Sequence, residues 1–238
     1  MRIARIAPVI ALSALAALVL AGPGYRLGLW GFPVGFEIMQ WAAIGGLVAV
    51  VLALVFLLNR RTRRGNAVIL VATLVIGVTT VYVPWDAREQ TRAVPPIHDI
   101  TTDTDDPPAF NAVVPLREGA RNPPAYPGDD VAEQQREAYP DLEPRRFEAD
   151  PARVFEAVLE TADALGWEVV DTDEGDGRIE AVATSTWFGF RDDVVVRITD
   201  DNGATRVDVR SKSRVGQSDA GANAERIERF LEQLEGAL

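Results

Sequence analysis

The side chains able to do chemistry gather in two stretches of this 238-residue chain. One runs from Asp192-Asp193 through Arg210, Ser211, Lys212, Ser213 and Arg214 to Asp219, Asn223 and Arg226. Paired carboxylates can share acid and base work when their surroundings push their pKa values apart. Adjacent residues of a strand point to opposite faces, so Asp192 and Asp193 would cooperate only in a turn. A serine needs a neighbouring base to become a nucleophile. Ser211 and Ser213 flank Lys212, so the Ser-x-x-Lys template fails. Arg210 and Arg214 offer forked donors suited to phosphate or carboxylate. The other stretch is His98-Asp99 with Asp103, Asp105 and Asp106. Clustered carboxylates suit a hard cation, but this spacing fits no cation loop, and a capped or solvated turn is the plainer reading. No metal and no cofactor is assigned. The chain has no cysteine, which excludes disulfides, thiolate nucleophiles and Cys-ligated metal sites.

The elements that must position these residues differ sharply along the chain. Residues 1–85 carry seven Arg and one acid, Glu37, whereas residues 86–238 carry 17 Lys or Arg against 34 Asp or Glu. So acidic a tail repels phosphate, which argues against nucleic acid as a partner. The first part holds three apolar runs, about 6–22, 36–58 and 67–85, each near the length that spans ~30 Å of hydrocarbon. The first run also reads as a signal peptide, with Arg2 and Arg5 ahead of it and Val19-Leu20-Ala21 at its end. Arg60, Arg61, Arg63 and Arg64 lie between the second and third runs. By the positive-inside tendency that loop is cytoplasmic and everything beyond Trp85 is not. The expectation is a multi-pass protein of a bacterial inner (plasma) membrane, with the lipid bilayer as its first partner.

Residues 86–147 read as a Pro-rich acidic connector. Proline disfavours helices and central strands, yet spaced apolar residues such as Ile97, Phe110, Val113 and Tyr126 predict that parts lie against the following domain. Residues 148–238 read as an α+β domain: helix, four-stranded antiparallel meander, helix. Asp150-Pro151 starts the first helix. Strands are predicted at 167–172, 178–187, 193–199 and 205–215, joined in part by Asp/Gly and Asn-Gly turns. The closing helix is predicted to start near Ser218 or Asp219, with Ser218, Asp219 and Asn223 as its caps. Both helices are placed on one sheet face, against Val169, Ile179, Ala181, Val194, Val196, Val207 and Val209. The other face then carries Glu180, Val195, Arg197, Arg206, Asp208, Arg210, Lys212 and Arg214. It forms a basic island, either solvated and cross-paired, covered by the connector, or open to an anionic ligand.

The segment Trp187-Phe188-Gly189-Phe190-Arg191-Asp192-Asp193-Val194, with Val207-Asp208-Val209-Arg210-Ser211 through Arg214, Gly216, Asp219, Asn223 and Arg226-Ile227, resembles the domain-of-unknown-function family 1499. The resemblance covers roughly residues 95–235. It implies no activity. It marks Asp192, Asp193, Arg210, Ser211, Ser213, Arg214, Asp219, Asn223 and Arg226 as a charge network, with Trp187 and Phe190 anchoring the turn. The functional expectation is a non-catalytic binding or scaffold domain in the cell envelope, whose partner is an envelope protein or an anionic envelope ligand. The alternative is an envelope hydrolase using the Asp and Ser residues near the strand–helix junction.

Overall fold

The computed structural model describes residues 5–238; Arg2, read above as part of the basic start of a signal peptide, lies outside the described residues. The chain forms two compact units. The first runs to Glu89 and takes in the turn Thr186–Gly189, and the second comprises Gln90–Ser185 and Phe190–Leu238.

The first unit is a helical bundle: α1 (Ile6–Arg26), α2 (Phe32–Leu58), the single turn α3 (Arg60–Arg63) and α4 (Ala67–Ala93). α1, α2 and α4 are long and apolar enough to cross a membrane, with mean hydropathy 2.2, 2.7 and 2.2. Lipid tails are as apolar as leucine, so such helices associate by close packing of small residues. α1 buries Ala7, Ala11, Ala14, Leu18 and Ala21 along one face. On α2, Gly45 faces Ala14, and Gly46 faces Gly77 and Thr80 of α4. A Cβ on Gly46 would stand 2.9 Å from the Gly77 carbonyl oxygen. Large side chains such as Leu12, Leu47, Val51 and Val75 point outward. Thr73 and Thr80, buried in α4, each donate a hydroxyl to the carbonyl four residues back, at 2.7 and 2.8 Å, so neither brings an unmatched donor into the apolar layer. α4 runs eight residues past the predicted end of the third span, because Ala87, Arg88, Glu89 and Gln90 are good helix formers.

The second unit corrects the four-stranded meander. Its antiparallel sheet has six strands: β1 (Asp99–Thr101), β2 (Arg145–Phe147), β3 (Glu168–Asp173), β4 (Arg178–Thr184), β5 (Arg191–Asp201) and β6 (Ala204–Ser213). β3 to β6 are the four predicted strands. β1 and β2 both pair with β6, the first at residues 210–212 and the second at 205–207. They come from the Pro-rich segment, and at three residues each they are too short to show alternation. They cover an edge of β6 that would otherwise expose unpaired backbone groups. The same segment forms the 3-10 turn Val114–Arg117 and α5 (Asp129–Ala138).

α6 (Pro151–Ala164) and α7 (Ala222–Glu235) share one core with Ile179, Ala181, Val194, Val196, Val207 and Val209. Asp150 caps α6 by accepting the Arg153 amide at 3.0 Å. Trp167 stacks on Phe230 of α7 at 5.0 Å. Val169 departs from its predicted inward position. A bulge between Val169 and Asp171 shifts the register, leaving Val169 exposed while Val170 packs on the other face.

Gly46→Leu should destabilise the bundle by about 1–3 kcal/mol, because the added side chain meets backbone rather than a movable tip. Leu47→Ala, one residue away on the outward face, should change stability by no more than about 0.5 kcal/mol. Thermal unfolding of the detergent-solubilised protein, followed by circular dichroism, compares the two; equal shifts would refute this packing.

Candidate functional site

The predicted site residues divide between the two faces of the sheet, because β5 and β6 alternate. Asp192 lies opposite Ser213 and Val194 opposite Ser211, on the helix face, whereas Asp193 lies opposite Lys212 and Val195 opposite Arg210, on the other. The geometry therefore makes two networks. Asp192 and Asp193 sit in β5, not in a turn, and serve different ones.

The helix-face network ties the strand ends to α7. Arg226 donates to Asp192 at 2.6 Å, to the Ser211 hydroxyl at 2.9 Å and to the Asn223 carbonyl oxygen. Ser211 donates to that same Asn223 oxygen at 2.7 Å. The Asn223 amide donates to the Ser213 hydroxyl at 3.0 Å and to the His98 carbonyl at 3.1 Å. Asp219 accepts the amides of Gly221 and Asn223, both at 2.9 Å. Burial raises the Asp219 carboxyl above the usual range, against the pull of those amides. The helix starts at Ala222, later than predicted. Asp219 instead holds the bend ahead of it, where Ala220 (φ 56°) and Gly221 (φ 83°) adopt left-handed backbone.

The other face carries a buried layer of charge. Arg210 grips Asp99 with two parallel bonds of 2.9 Å, and Lys212 reaches the same carboxylate at 2.7 Å. Arg214 holds Asp193 at 2.7 Å, and Arg117 of the 3-10 turn closes on it from the connector. All six residues are buried. Four cations against two carboxylates leave an excess of positive charge, which connector carbonyls offset. Arg210 donates to Pro108 and Pro124, Lys212 to Ala125, Arg214 to Leu116, and Arg117 to Asn122, at 2.7–3.0 Å. Phe110 and Tyr126 present their rings to the Arg210 guanidinium at 4.6 and 5.3 Å. Burial lowers the Lys212 ammonium and the Arg117 guanidinium below their ordinary values, opposed by Asp99 and Asp193 respectively.

Beside this layer Glu180, fully buried, accepts the amides of Asn111, Ala112 and Val113 at 2.9–3.1 Å. Phe110 and Val113 of the connector complete a small apolar core with Val182 and Val195. The basic island is thus not an open face: the connector covers it.

Trp187 and Phe190 fall in different units. The Trp187 indole donates to the Val19 carbonyl at 3.2 Å within the helical unit. Phe190 exchanges bonds of 2.9 Å with Ser185 at the base of the β4–β5 turn. His98 has its ring 3.2 Å from the Gln217 carbonyl oxygen, and Asp103 is held by Arg206, Arg197 and its own turn amides. Sequence reasoning missed Asp99, Arg117, Glu180 and Asn122 as partners. Of these, Glu180 carried a signal, as a carboxylate in a predicted strand two residues from Arg178, whereas Asp99 lies in a strand too short to read from sequence. Arg117 and Asn122 carried none.

Asp193→Asn should cost about 3–5 kcal/mol of stability, since it leaves two guanidiniums buried without their carboxylate. Denaturant unfolding of the full chain measures it, and a loss under 1 kcal/mol would contradict the layer. Tyr126 gives the opposite sign. Its hydroxyl is buried without a hydrogen-bond partner among the described residues, and burial pushes its phenol from 10.0 up to about 12. The fold favours the neutral phenol, so its contribution is complete below pH 10 and is lost as pH rises from 10 through about 12. Tyr126→Phe should be neutral or stabilising by up to about 1 kcal/mol at pH 7. It should also remove the highest-titrating tyrosine from an absorbance titration at alkaline pH.

No curated protein matches the chain. Among solved structures, TTHA0849 from Thermus thermophilus is similar over 40% of this chain and 92% of its own, at 15% identity and a TM-score of 0.26. The model of the family described as "Protein of unknown function (DUF1499)" matches residues 99–234, from the first residue of β1 almost to the end of α7. That match covers more than half of the chain and both networks, so the chain belongs to the DUF1499 family of proteins of unknown function.

Proposed function

We propose that this membrane protein presents its α+β unit on the non-cytoplasmic side of a bacterial inner membrane as a non-catalytic binding or scaffold element of the cell envelope. One observation carries the reading: the side chains that could bind or react are engaged with one another. Arg210, Lys212 and Arg214 are spent on Asp99, Asp193 and connector carbonyls. Ser211 and Ser213 are buried against Asn223, and Asp192 is paired with Arg226. A hydrolase would need a hydroxyl facing a base and open to substrate. An anionic ligand would need unspent guanidiniums. What the unit offers to solvent is acidic instead, including Glu156, Glu160, Glu225, Glu228 and Glu232 on α6 and α7. Such a surface suits a protein partner with basic groups more than an anionic ligand.

The orientation rests on Arg60, Arg61, Arg63 and Arg64 between two membrane-capable helices. Protease added to intact spheroplasts should digest the chain beyond α4, and full protection would overturn the orientation. Cross-linking on intact cells, followed by mass spectrometry of what co-purifies, should recover an envelope protein. Turnover of any envelope substrate by the purified full chain, abolished by Ser211→Ala with unfolding unchanged, would replace the scaffold reading with the hydrolase.

A further inference from the structure

The sheet treats its two edges differently. At one edge, β1 and β2 pair with β6 and cover its backbone. At the other, β3 pairs with β4 on one side and, among the described residues, with no strand or loop backbone on the other. The amides and carbonyls that point outward from such an edge are a template for another strand. Proteins commonly blunt an open edge with lysine, proline or a covering segment. β3 contains neither lysine nor proline, and its Glu168, Val169 and Thr172 are exposed.

The charge along β3 selects what can pair there. Glu168, Asp171 and Asp173 lie opposite Val182, Glu180 and Arg178 of β4, alternate residues that share one face of the sheet. The bulge between Val169 and Asp171 is what keeps Glu168 and Asp171 on that common face. Glu174 and Asp176 continue the acidic run into the β3–β4 turn. Arg178 donates to Asp171 at 3.1 Å and lies 3.8 Å from Asp173 and from Asp176. Glu168 and Glu174 have no cation beside them among the described residues. Val169 and Thr172 stand on the opposite face, across from Ala181 and Ile179. A second copy of β3 laid along this edge would set acids against acids, which is repulsive. An extended segment with basic residues at alternate positions and β-branched residues between them would match both faces. We propose that the free edge of β3 takes such a basic segment of a partner protein as an added strand. Backbone hydrogen bonds supply the hold, and Glu168, Asp171 and Asp173 supply the preference for basic side chains. Strand addition to an open sheet edge works in this way. The inference rests on the binding reading above and gives that reading a place and a partner chemistry.

The test titrates the full chain, solubilised in a non-ionic detergent, with an end-capped peptide of alternating Lys and Val that matches β3 in length. One valine carbonyl of the peptide carries carbon-13. Saturable binding is expected, with the labelled amide band moving to the strand frequency in the infrared. A peptide of alternating Glu and Val should not bind. Neither should the Lys-Val peptide methylated at every amide nitrogen, which keeps the charge and removes the donors. Glu168→Lys should weaken binding of the Lys-Val peptide about fivefold. Glu168 is exposed, so circular dichroism and thermal unfolding of this variant should match the parent. Absence of saturable binding overturns the proposal. So does equal binding of the methylated peptide, which would mean charge without strand pairing, or equal binding by Glu168→Lys and the parent. A dimer of the chain that the peptide dissociates would assign the edge to a second copy instead. Failure of the peptide would leave the scaffold reading standing where intact cells still yield a cross-linked envelope protein. A catalytic chain would overturn that reading and leave the peptide result intact.

Discussion

Strand β6 carries Asp208, Arg210, Lys212 and, just past its end, Arg214 at alternate positions on one face, and each is buried. Burying a cation is tolerable only if an opposite charge and further hydrogen bonds replace its water. Most of the second unit's architecture answers that demand. β1 brings Asp99 alongside Lys212, and β5 brings Asp193. The connector brings Arg117, which joins Asp193, and the carbonyls of Pro108, Leu116, Pro124 and Ala125. Proline suits this use. It gives up an amide donor that a buried loop would have to satisfy, and it keeps the carbonyl that the cations need.

The layer also explains how a segment rich in proline can be ordered without much regular structure. The connector is tied to the sheet by charge-assisted bonds at Asp99, Arg117 and Glu180 and by the Phe110–Val113 apolar contact. Such bonds are stronger than neutral ones. They are also costly to leave half made, which couples the connector's order to that of β6. Opposite it, the helix-face network does a more local job, setting the angle at which α7 leaves the sheet through Asp219, Asn223 and Arg226.

The helical unit obeys a different economy. With no water to exclude, its contacts are small residues at close approach, Ala14 against Gly45 and Gly46 against Gly77, and its large apolar side chains face outward. Its charge is confined to the ends, Arg60, Arg61, Arg63 and Arg64 at one and Arg26, Glu37, Asp86 and Arg88 toward the other. The two units thus differ in what they bury: small apolar residues in one, and in the other paired charges beneath the connector as well as an apolar core beneath the helices.

Much of this was legible in the chain read alone, because it follows from local periodicity. Three apolar runs of spanning length, the Asp150-Pro151 helix start, the four long strands and the alternation that sends Arg210, Lys212 and Arg214 to one face all depend on neighbours in sequence. The family resemblance was legible too, since a turn, a strand and a helix start recur in fixed order. What the tertiary structure decided concerns pairs far apart in the chain. Asp99 finds Arg210 across 111 positions, Arg117 finds Asp193 across 76, and Asn111 finds Glu180 across 69. Three-residue strands such as β1 and β2 have no period to read, and an edge of β6 recruits them only once the sheet exists. A cation on a strand face looks the same in sequence whether water or a carboxylate lies above it. Only the folded connector makes it a buried charge instead of an open basic surface.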